Sequence, residues 1–280
     1  MMQSESGNGR QERIMGGDAI LEVRNLRKSF AISAGAFARS AGHAAAVDGV
    51  SFLLERGETL GIAGESGCGK TTLARMLMRL IPPDAGEIRF RGEDWLGASV
   101  AELRALRRGM QMVFQDPMAS LDPRMRVGAI VGEPLAIHEP RLSRGERRAR
   151  AGAMLEAVGL SAEIMGRHPH EFSGGQRQRI GIARALILRP ELVIADEPVS
   201  SLDVSAGAQI LELLARLQEE FSLTLILISH SLPVLAQLAS RIAVMQTGRF
   251  VELGAAGQVL TAPRHPYTQT LLDAVPQIPA

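Results

Sequence analysis

Residues 64–71 read Gly64-Glu65-Ser66-Gly67-Cys68-Gly69-Lys70-Thr71 and follow the pattern G-x-x-x-x-G-K-[ST]. In this pattern the backbone N–H groups of a Gly-rich loop hold phosphates, the lysine reaches the β and γ oxygens, and the last hydroxyl binds Mg²⁺. The chain has one other lysine, Lys28, so chance placement of the pattern is improbable. The stretch therefore predicts a nucleoside triphosphate as the first ligand to consider, rather than an ordinary Gly-rich turn.

The residues on either side of this loop agree with that interpretation. Leu60 to Ala63 is typical of a short buried strand, and Thr72 to Ile81 has the spacing of an amphipathic helix. The positive N-terminal end of that helix would face the phosphates. Thr71 is also predicted to bind the metal. The residues predicted to surround the phosphates are Gly64, Glu65, Ser66, Gly67, Cys68, Gly69, Lys70, Thr71 and Thr72.

Composition limits the class of protein. A hydrophobic content of 46% with only 4% aromatic residues suits a soluble α/β protein, and a net charge of +1 gives no general attraction to nucleic acid, so we expect no nucleic-acid partner. No apolar run approaches the ~18 residues needed to span a bilayer. Met1 to Asp18 is polar and Gly-rich, which predicts a disordered leader of a cytosolic protein. Cys68, the single cysteine, is expected to pack as a small residue rather than to do redox chemistry.

The first part of the chain contains two predicted strands and an Arg-rich stretch. Ile20 to Val23 and Val50 to Leu54 flank an Ala/Gly/Ser-rich segment, Ala31 to Ala46, which we interpret as a flexible hairpin loop. From Val100 to Leu160 the pattern is helical and rich in arginine. A solvated helix face is the simpler explanation for those arginines, and a docking surface is the alternative.

From Leu192 onward strands and helices alternate, which predicts a largely parallel sheet with helices on both faces. The predicted elements are a strand at Leu192 to Ala195, a helix at Val204 to Phe221, a strand at Leu223 to Ile228, a short helix near Leu232 and a hairpin turning at Thr247-Gly248.

The strand at Leu192 to Ala195 ends in two adjacent carboxylates, Asp196 and Glu197. In a parallel sheet ligands bind beyond the carboxyl ends of the strands, so these acids would meet the triphosphate. Asp196 can then hold Mg²⁺ and Glu197 can polarise an attacking water. An acidic turn after a strand is common, and the phosphate loop makes this interpretation much stronger.

A third motif, Phe172-Ser173-Gly174-Gly175-Gln176-Arg177-Gln178-Arg179, resembles the signature sequence of ATP-binding cassette ATPases. Independently of that resemblance, two glycines, a hydroxyl and a helix start suit a second phosphate site. The resemblance implies a head-to-tail dimer in which each ATP lies between one subunit's phosphate loop and the other's signature. The signature residues expected to contact ATP are Ser173, Gly174, Gly175 and Gln176.

The resemblance implies roles for four more residues. Gln115 matches the glutamine that contacts Mg²⁺ or the attacking water and borders the surface of the membrane partner. Asp203 matches the aspartate at the dimer seam, and His230 matches the histidine that contacts the γ-phosphate and positions the water of Glu197. Phe30 lies where the family places an aromatic that stacks on adenine, although a core phenylalanine is an alternative.

The C-terminal segment Arg264-His265-Pro266-Tyr267-Thr268-Gln269-Thr270-Leu271-Leu272 is similar to that of ATPase subunits of bacterial dipeptide, oligopeptide and nickel importers. A Pro-capped helix is the plain structural explanation, and the residues themselves indicate no chemistry. Three residues depart from the family pattern, and because none of them removes a phosphate, metal or water-positioning group, we expect competent hydrolysis. These departures are Phe172, Ser201 and Ser231.

The motifs and the resemblance together imply a P-loop NTPase of the ABC ATPase fold, with a mostly parallel core, an antiparallel β subdomain and an inserted helical subdomain. The predicted divisions are a leader at 1–18, the ATPase domain at 19–255 with its helical subdomain at about 100–185, and an importer-type tail at 256–280. The implied cofactors are ATP and Mg²⁺. The implied partners are two permeases, a second ABC ATPase (a paralogue or a copy of itself) and, indirectly, a solute-binding protein, with the chain on the cytoplasmic face of the membrane.

Two other classes of function use part of the same motifs. A soluble ABC ATPase acting on ribosomes or DNA is the main alternative, but such relatives usually carry two cassettes or long inserts. A small-molecule kinase would leave the signature motif unexplained. Transport is therefore the favoured function, and the transported solute is left open.

Overall fold

A computed structural model describes residues 19–31, 43–116 and 120–274. The predicted leader, most of the predicted loop between Ala31 and Ala46, and the last six residues of the tail lie outside the described residues.

The N-terminal part forms an antiparallel sheet with the strand order β2-β1-β4-β5. Both long strands extend further than the sequence indicated, because ladder pairing continues to Ala31↔His43 at the end next to the loop. The strands are β1 (Ala19–Ala31), β2 (His43–Glu55), β4 (Ala85–Phe90) and β5 (Glu93–Asp94).

The second sheet has the strand order β10-β9-β3-β8-β7-β6. Its five strands from β9 to β6 are parallel, and only β10 pairs antiparallel, through the hairpin that turns at Thr247-Gly248 as predicted. The strands are β3 (Thr59–Ala63), β6 (Met110–Val113), β7 (Leu192–Asp196), β8 (Thr224–Ser229), β9 (Arg241–Gln246) and β10 (Arg249–Ala255).

Helices connect the parallel strands, and three of them begin with a serine whose side chain and backbone exchange hydrogen bonds with the third helical residue. The helices are α1 (Lys70–Leu77), α2 (Val100–Leu106), α3 (Val127–His138), α4 (Arg144–Ala157), α5 (Gly174–Leu186), α6 (Val204–Phe221), α7 (Leu232–Ala236), α8 (Ala256–Thr261) and α9 (Pro266–Asp273).

The helical pattern predicted from Val100 to Leu160 is wrong at Met110–Val113, which is strand β6 at the edge of the parallel sheet. Three of its four residues are buried, and it pairs with β7 from Met110↔Leu192 to Val113↔Ala195. Four residues are too few to show a periodicity, so tertiary pairing decides this element. Helix α1 is also shorter than predicted and ends at Leu77.

The parallel sheet separates two hydrophobic clusters because successive strand side chains point to opposite faces. In β7, Val193 and Ala195 lie in the cluster with helices α3 to α8, whereas Leu192 and Ile194 lie in the cluster with the antiparallel sheet and α1. Burial of each large aliphatic side chain contributes about 1.5–3 kcal/mol. The central strands are therefore anchored on both faces, and their carboxyl ends form a rigid edge.

None of the helices in the described part of the chain has both the length and the apolar character needed to cross a membrane.

Candidate active site

The carboxyl ends of four neighbouring strands carry the groups that the sequence singled out. In the order β3-β8-β7-β6, the strands lead into the phosphate loop, His230, the pair Asp196 and Glu197, and Gln115. These groups are far apart in the sequence, and parallel pairing is what brings them to one edge of the sheet.

The phosphate loop joins β3 to α1 and is held by the backbone around it. Gly69 has a φ of 114°, and a Cβ there would overlap the carbonyl oxygen of Ala46 in β2. The N–H of Gly248, in the β9–β10 turn, donates to the carbonyl of Cys68 at 2.9 Å. Glycine is required at position 69 for both its backbone angle and its lack of a side chain. The loop conformation is thus imposed by β2 and the hairpin as well as by its own sequence.

Lys70 is buried and turns back over the loop. Its ammonium donates to the carbonyl of Gly64 at 2.7 Å and to that of Glu65 at 2.8 Å. These bonds hold the single positive charge of the loop close to the exposed residues Glu65, Ser66 and Gly67. Burial raises the pKa of the neighbouring Cys68 thiol, against the lowering effect of Lys70, so the thiol stays protonated at neutral pH. That agrees with the interpretation of Cys68 as a packing residue.

Thr71 and Asp196 meet across the base of the site. Thr71 Oγ1 donates to Asp196 Oδ1 at 3.4 Å, and Asp196 is 2% exposed. Burial raises the pKa of Asp196, an effect that the Thr71 hydrogen bond opposes and the charge of Glu197 reinforces. A hydroxyl oxygen beside a carboxylate oxygen is the kind of oxygen ligand pair that Mg²⁺ takes, and a cation there would compensate the buried carboxylate. These residues therefore fit a magnesium ion.

Glu197, Gln115 and His230 form a cluster around one carboxylate oxygen. Glu197 Oε2 accepts from Gln115 Nε2 at 3.4 Å and from His230 Nδ1 at 3.2 Å. Since a carboxylate is only an acceptor, the ring proton is on Nδ1, and Nε2 becomes a donor when the imidazole is protonated. Glu197 also has a φ of 45°, a conformation that non-glycine residues adopt at an energetic cost and that concentrates at functional sites. The carboxylate is oriented from both sides.

The signature motif lies at the start of α5, next to the start of α6. Ser173 caps α5 by accepting from the N–H of Gln176 at 3.3 Å, and Gln176 Oε1 accepts from the N–H of Ser173 at 3.0 Å. A Cβ on Gly174 would lie 3.1 Å from Leu202, so this helix start adjoins the segment before Asp203. Asp203 itself caps α6 by accepting from the N–H of Ala206 at 2.9 Å. Both residues have a structural role besides the one the resemblance implies.

Phe30 is not a core residue. Its side chain lies near the end of β1, is 43% exposed, and has the Lys28 ammonium 5.7 Å from the ring centroid. It pairs with Ala44, two residues from the Ala46 carbonyl that contacts Gly69. An exposed aromatic on β1, paired with the strand β2 that borders the phosphate loop, is suited to stack on a base.

The C-terminal segment also reaches this site, which could not be predicted from its residues. Tyr267 Oη accepts from the backbone N–H of Glu65 at 3.2 Å, across 202 positions of the chain. Tyr267 is the only tyrosine in the chain, and it follows the motif that was interpreted as a plain Pro-capped helix. No local pattern could have shown this contact, because it depends on where α9 packs.

This arrangement is that of an ATPase of the ATP-binding cassette class: the phosphate loop, Asp196, Glu197 and His230 lie at one sheet edge, and a separate capped helix carries the signature motif. The comparisons agree. The family model described as ABC transporter matches residues 47–200, and the model described as oligopeptide/dipeptide transporter, C-terminal region, matches residues 251–280. The chain belongs to the ABC transporter family, within its oligopeptide/dipeptide group of ATP-binding proteins.

Individual relatives give the same result. The oligopeptide transport ATP-binding protein AppF of Bacillus subtilis (strain 168) is 52% identical over 92% of this chain and 79% of its own length. The oligopeptide transport ATP-binding protein OppF of Escherichia coli (strain K12) is 49% identical over 93% of this chain and 79% of its own length. The solved dimer of the ATP-binding cassette MJ0796 bound to ADP and Pi superposes with a TM-score of 0.74 at 28% identity, over 84% of this chain and 98% of that one. The predicted fold class and ATPase activity are confirmed.

Proposed function

We propose that this chain is the ATP-hydrolysing subunit of a bacterial importer that takes up oligopeptides or dipeptides through two membrane-spanning permeases. The observation that carries the proposal is the convergence of the phosphate loop, Asp196, Glu197, Gln115 and His230 at the carboxyl ends of adjacent strands. The peptide class is supported by the names of the relatives and by the matched C-terminal region.

ATP would bind with its phosphates in the loop of residues 64–72. The Lys70 ammonium can move from the loop carbonyls to phosphate oxygens, and backbone N–H groups at the start of α1 complete the cradle. Thr71 and Asp196 would hold Mg²⁺, with Gln115 at the border of that site, and the bound ion would neutralise charge on the triphosphate. Adenine would stack on Phe30, an interaction worth about 1–3 kcal/mol.

Hydrolysis would be carried by Glu197 with help from His230. The carboxylate draws a proton from a water whose oxygen attacks the γ-phosphorus, while the bond from that phosphorus to the bridging oxygen breaks to give ADP and phosphate. His230 Nδ1 orients the carboxylate, and its protonated ring can donate through Nε2 to a γ-phosphate oxygen. Catalysis comes mainly from positioning and charge stabilisation.

A second cassette would complete the ATP site. The start of α5, with Ser173 and the N–H groups of Gly174 and Gly175, is a second phosphate-binding feature directed at a different molecule. In a head-to-tail dimer it would meet the ATP held by the partner, with Asp203 at the seam. The partner cassette is either a paralogue or a second copy of this chain.

Coupling to the permeases would pass through Gln115. This residue lines a cavity of about 590 Å³. Thr71 and Asp196 also line the cavity, which extends to Glu133 and Arg184 of the helical region. A permease segment seated there would sense ATP through the same glutamine that contacts Glu197. The chain would therefore work as a peripheral subunit on the cytoplasmic face of the membrane, and a solute-binding protein would deliver the peptide outside.

The test is to purify tagged Glu197→Gln chain from solubilised membranes of its host with ATP present and to identify what co-purifies. Two permeases and a second cassette are expected, because the variant binds ATP without hydrolysing it. The matched control is the double variant Lys70→Ala with Glu197→Gln, which should retain the permeases and lose ATP-dependent closure of the cassettes. Recovery of ribosomal proteins or DNA complexes without any permease would contradict the transport function.

A further inference from the structure

The side chain of Tyr267, in the C-terminal helix α9, contacts the phosphate loop. Tyr267 Oη accepts a hydrogen bond from the backbone N–H of Glu65 at 3.2 Å. The ring is partly buried and packs against the larger hydrophobic cluster, with Leu271 and Leu272 from the same helix. Packing of the ring therefore holds the Tyr267 hydroxyl in place against the loop.

The peptide group that Tyr267 contacts is also bound by Lys70. The Glu65 N–H and the Gly64 carbonyl belong to one peptide group, and the Gly64 carbonyl accepts from Lys70 Nζ at 2.7 Å. In a planar trans peptide the N–H and C=O point in opposite directions. Tyr267 and Lys70 thus hold opposite sides of the same group, and its orientation determines where the lysine is anchored.

Tyr267 is itself fixed to the sheet through Glu252. This carboxylate in β10 is 9% exposed and accepts from the backbone N–H groups of Arg264 at 2.9 Å and His265 at 3.1 Å. His265 Nδ1 in turn accepts from the N–H of Tyr267 at 3.2 Å. The start of α9 is therefore tied to the strand that follows the β9–β10 turn, and that turn also supports the loop through Cys68.

We propose that Tyr267 is a positioning residue for the triphosphate, which keeps the Gly64–Glu65 peptide in the orientation that the phosphate loop needs to receive ATP. The inference rests on the proposed function only in taking ATP as the ligand. It assigns a physical task to the C-terminal segment, whose own sequence indicates none. Tyr267 does not touch the reacting atoms, so its loss affects ATP binding more than the chemical step.

The test compares the purified full-length wild-type chain with Tyr267→Phe, which removes only the hydroxyl. The dissociation constant of the purified chain for a fluorescent ATP analogue and the KM of the assembled transporter for ATP are each expected to rise three- to tenfold, with kcat within twofold of wild type. Hydrogen exchange of the segment around Glu65 should become faster, because its N–H loses an acceptor. A merely structural role for the ring would leave that local exchange unchanged.

The matched control is Thr270→Val, which removes another hydroxyl from α9 whose hydrogen bond stays within the helix, to the Pro266 carbonyl at 3.1 Å. It should bind ATP as the wild type does. Wild-type affinity and exchange in Tyr267→Phe would overturn the inference, as would a raised KM with unchanged exchange at Glu65. Failure of the wild-type chain itself to bind the nucleotide, with Lys70→Ala as the reference for no binding, would instead overturn the proposed function.

Discussion

The capping box of the signature helix α5 has a glutamine where two other helices have a glutamate, and this difference has a measurable consequence. Among the helices that the structure describes, three begin with a reciprocal serine capping box, and in two of these the third helical residue is a glutamate. The pairs are Ser99 with Glu102, Ser143 with Glu146, and Ser173 with Gln176. A carboxylate near a helix N-terminus is favourable, so helix stability alone would place glutamate at 176 as well. A glutamate carboxylate at position 176 would, however, repel a phosphate bound at that helix start.

We therefore predict that Gln176→Glu keeps the fold and blocks ATP-driven pairing of cassettes. Gln176 Oε1 already accepts from the N–H of Ser173 at 3.0 Å, so a glutamate oxygen can occupy the same place. One unit charge on that carboxylate and one on a phosphate ~5 Å away repel by about 3 kcal/mol at an effective dielectric constant of ~20. This energy corresponds to roughly a hundredfold loss of affinity for the closed state. The negative charge near the N-terminus stabilises the helix itself by about 0.3–1 kcal/mol.

The assay combines thermal unfolding with ATPase activity of the assembled transporter. Gln176→Glu should unfold at or slightly above the wild-type temperature and lose most of its activity, and raising the salt concentration should restore part of it by screening. The matched control is the reverse substitution, Glu146→Gln in α4. It should lower the free energy of unfolding by a few tenths of a kcal/mol and leave the ATPase activity unchanged. Wild-type activity in Gln176→Glu would refute the assignment of a phosphate to this helix start.

Three other predictions concern ATP turnover, stacking on adenine and the stability of the C-terminal segment. Lys70→Ala should lower ATP turnover by about 10²–10³-fold, since it removes the charge that stabilises the transferring phosphoryl group, and turnover at the wild-type rate would contradict its role. Phe30→Ala should weaken ATP binding by about 1–3 kcal/mol without lowering stability, because the ring is exposed; equal ATP binding in a titration would exclude stacking. Burial raises the pKa of Glu252, but several hydrogen bonds to the carboxylate, first among them the one from the Arg264 N–H, outweigh burial and leave the pKa below 4.5. Because the folded pKa is the lower one, the stabilisation of the tail is complete above about pH 4.5 and is lost as the pH falls through the folded pKa. Hydrogen exchange of α9 in the wild-type chain should become faster as the pH is lowered. If α9 of Glu252→Gln showed the same dependence on pH as the wild type, Glu252 would not be the group responsible.

Strongly periodic elements were predictable from sequence. Helix α6 spans Val204–Phe221 as expected, since eighteen residues with a clear apolar face leave little ambiguity. Strand β6 could not be predicted, because its four residues lie between Arg-rich helical stretches and become a strand only by pairing with β7. The limits of the domains and the roles of individual site residues stay predictions.

The nature of the site was determined by the sequence alone. The loop from Gly64 to Thr71, the acids after Leu192–Ala195 and the signature motif are local patterns, and their chemistry follows from residue type and spacing. Phe30 shows the limit of such reasoning, because a phenylalanine suits a core and a base-binding surface equally well, and only its 43% exposure in the folded chain separates the two.

Only the tertiary structure shows which atoms of these distant groups are in contact. Glu197 meets Gln115 and His230 because parallel strands end at one edge, and Tyr267 reaches Glu65 because Glu252 ties α9 to β10. Hydrogen bonds between residues 12 to 202 positions apart leave no periodicity in the sequence. They arise when hydrophobic burial brings the sheet and its helices together, so they can be read only from the folded chain.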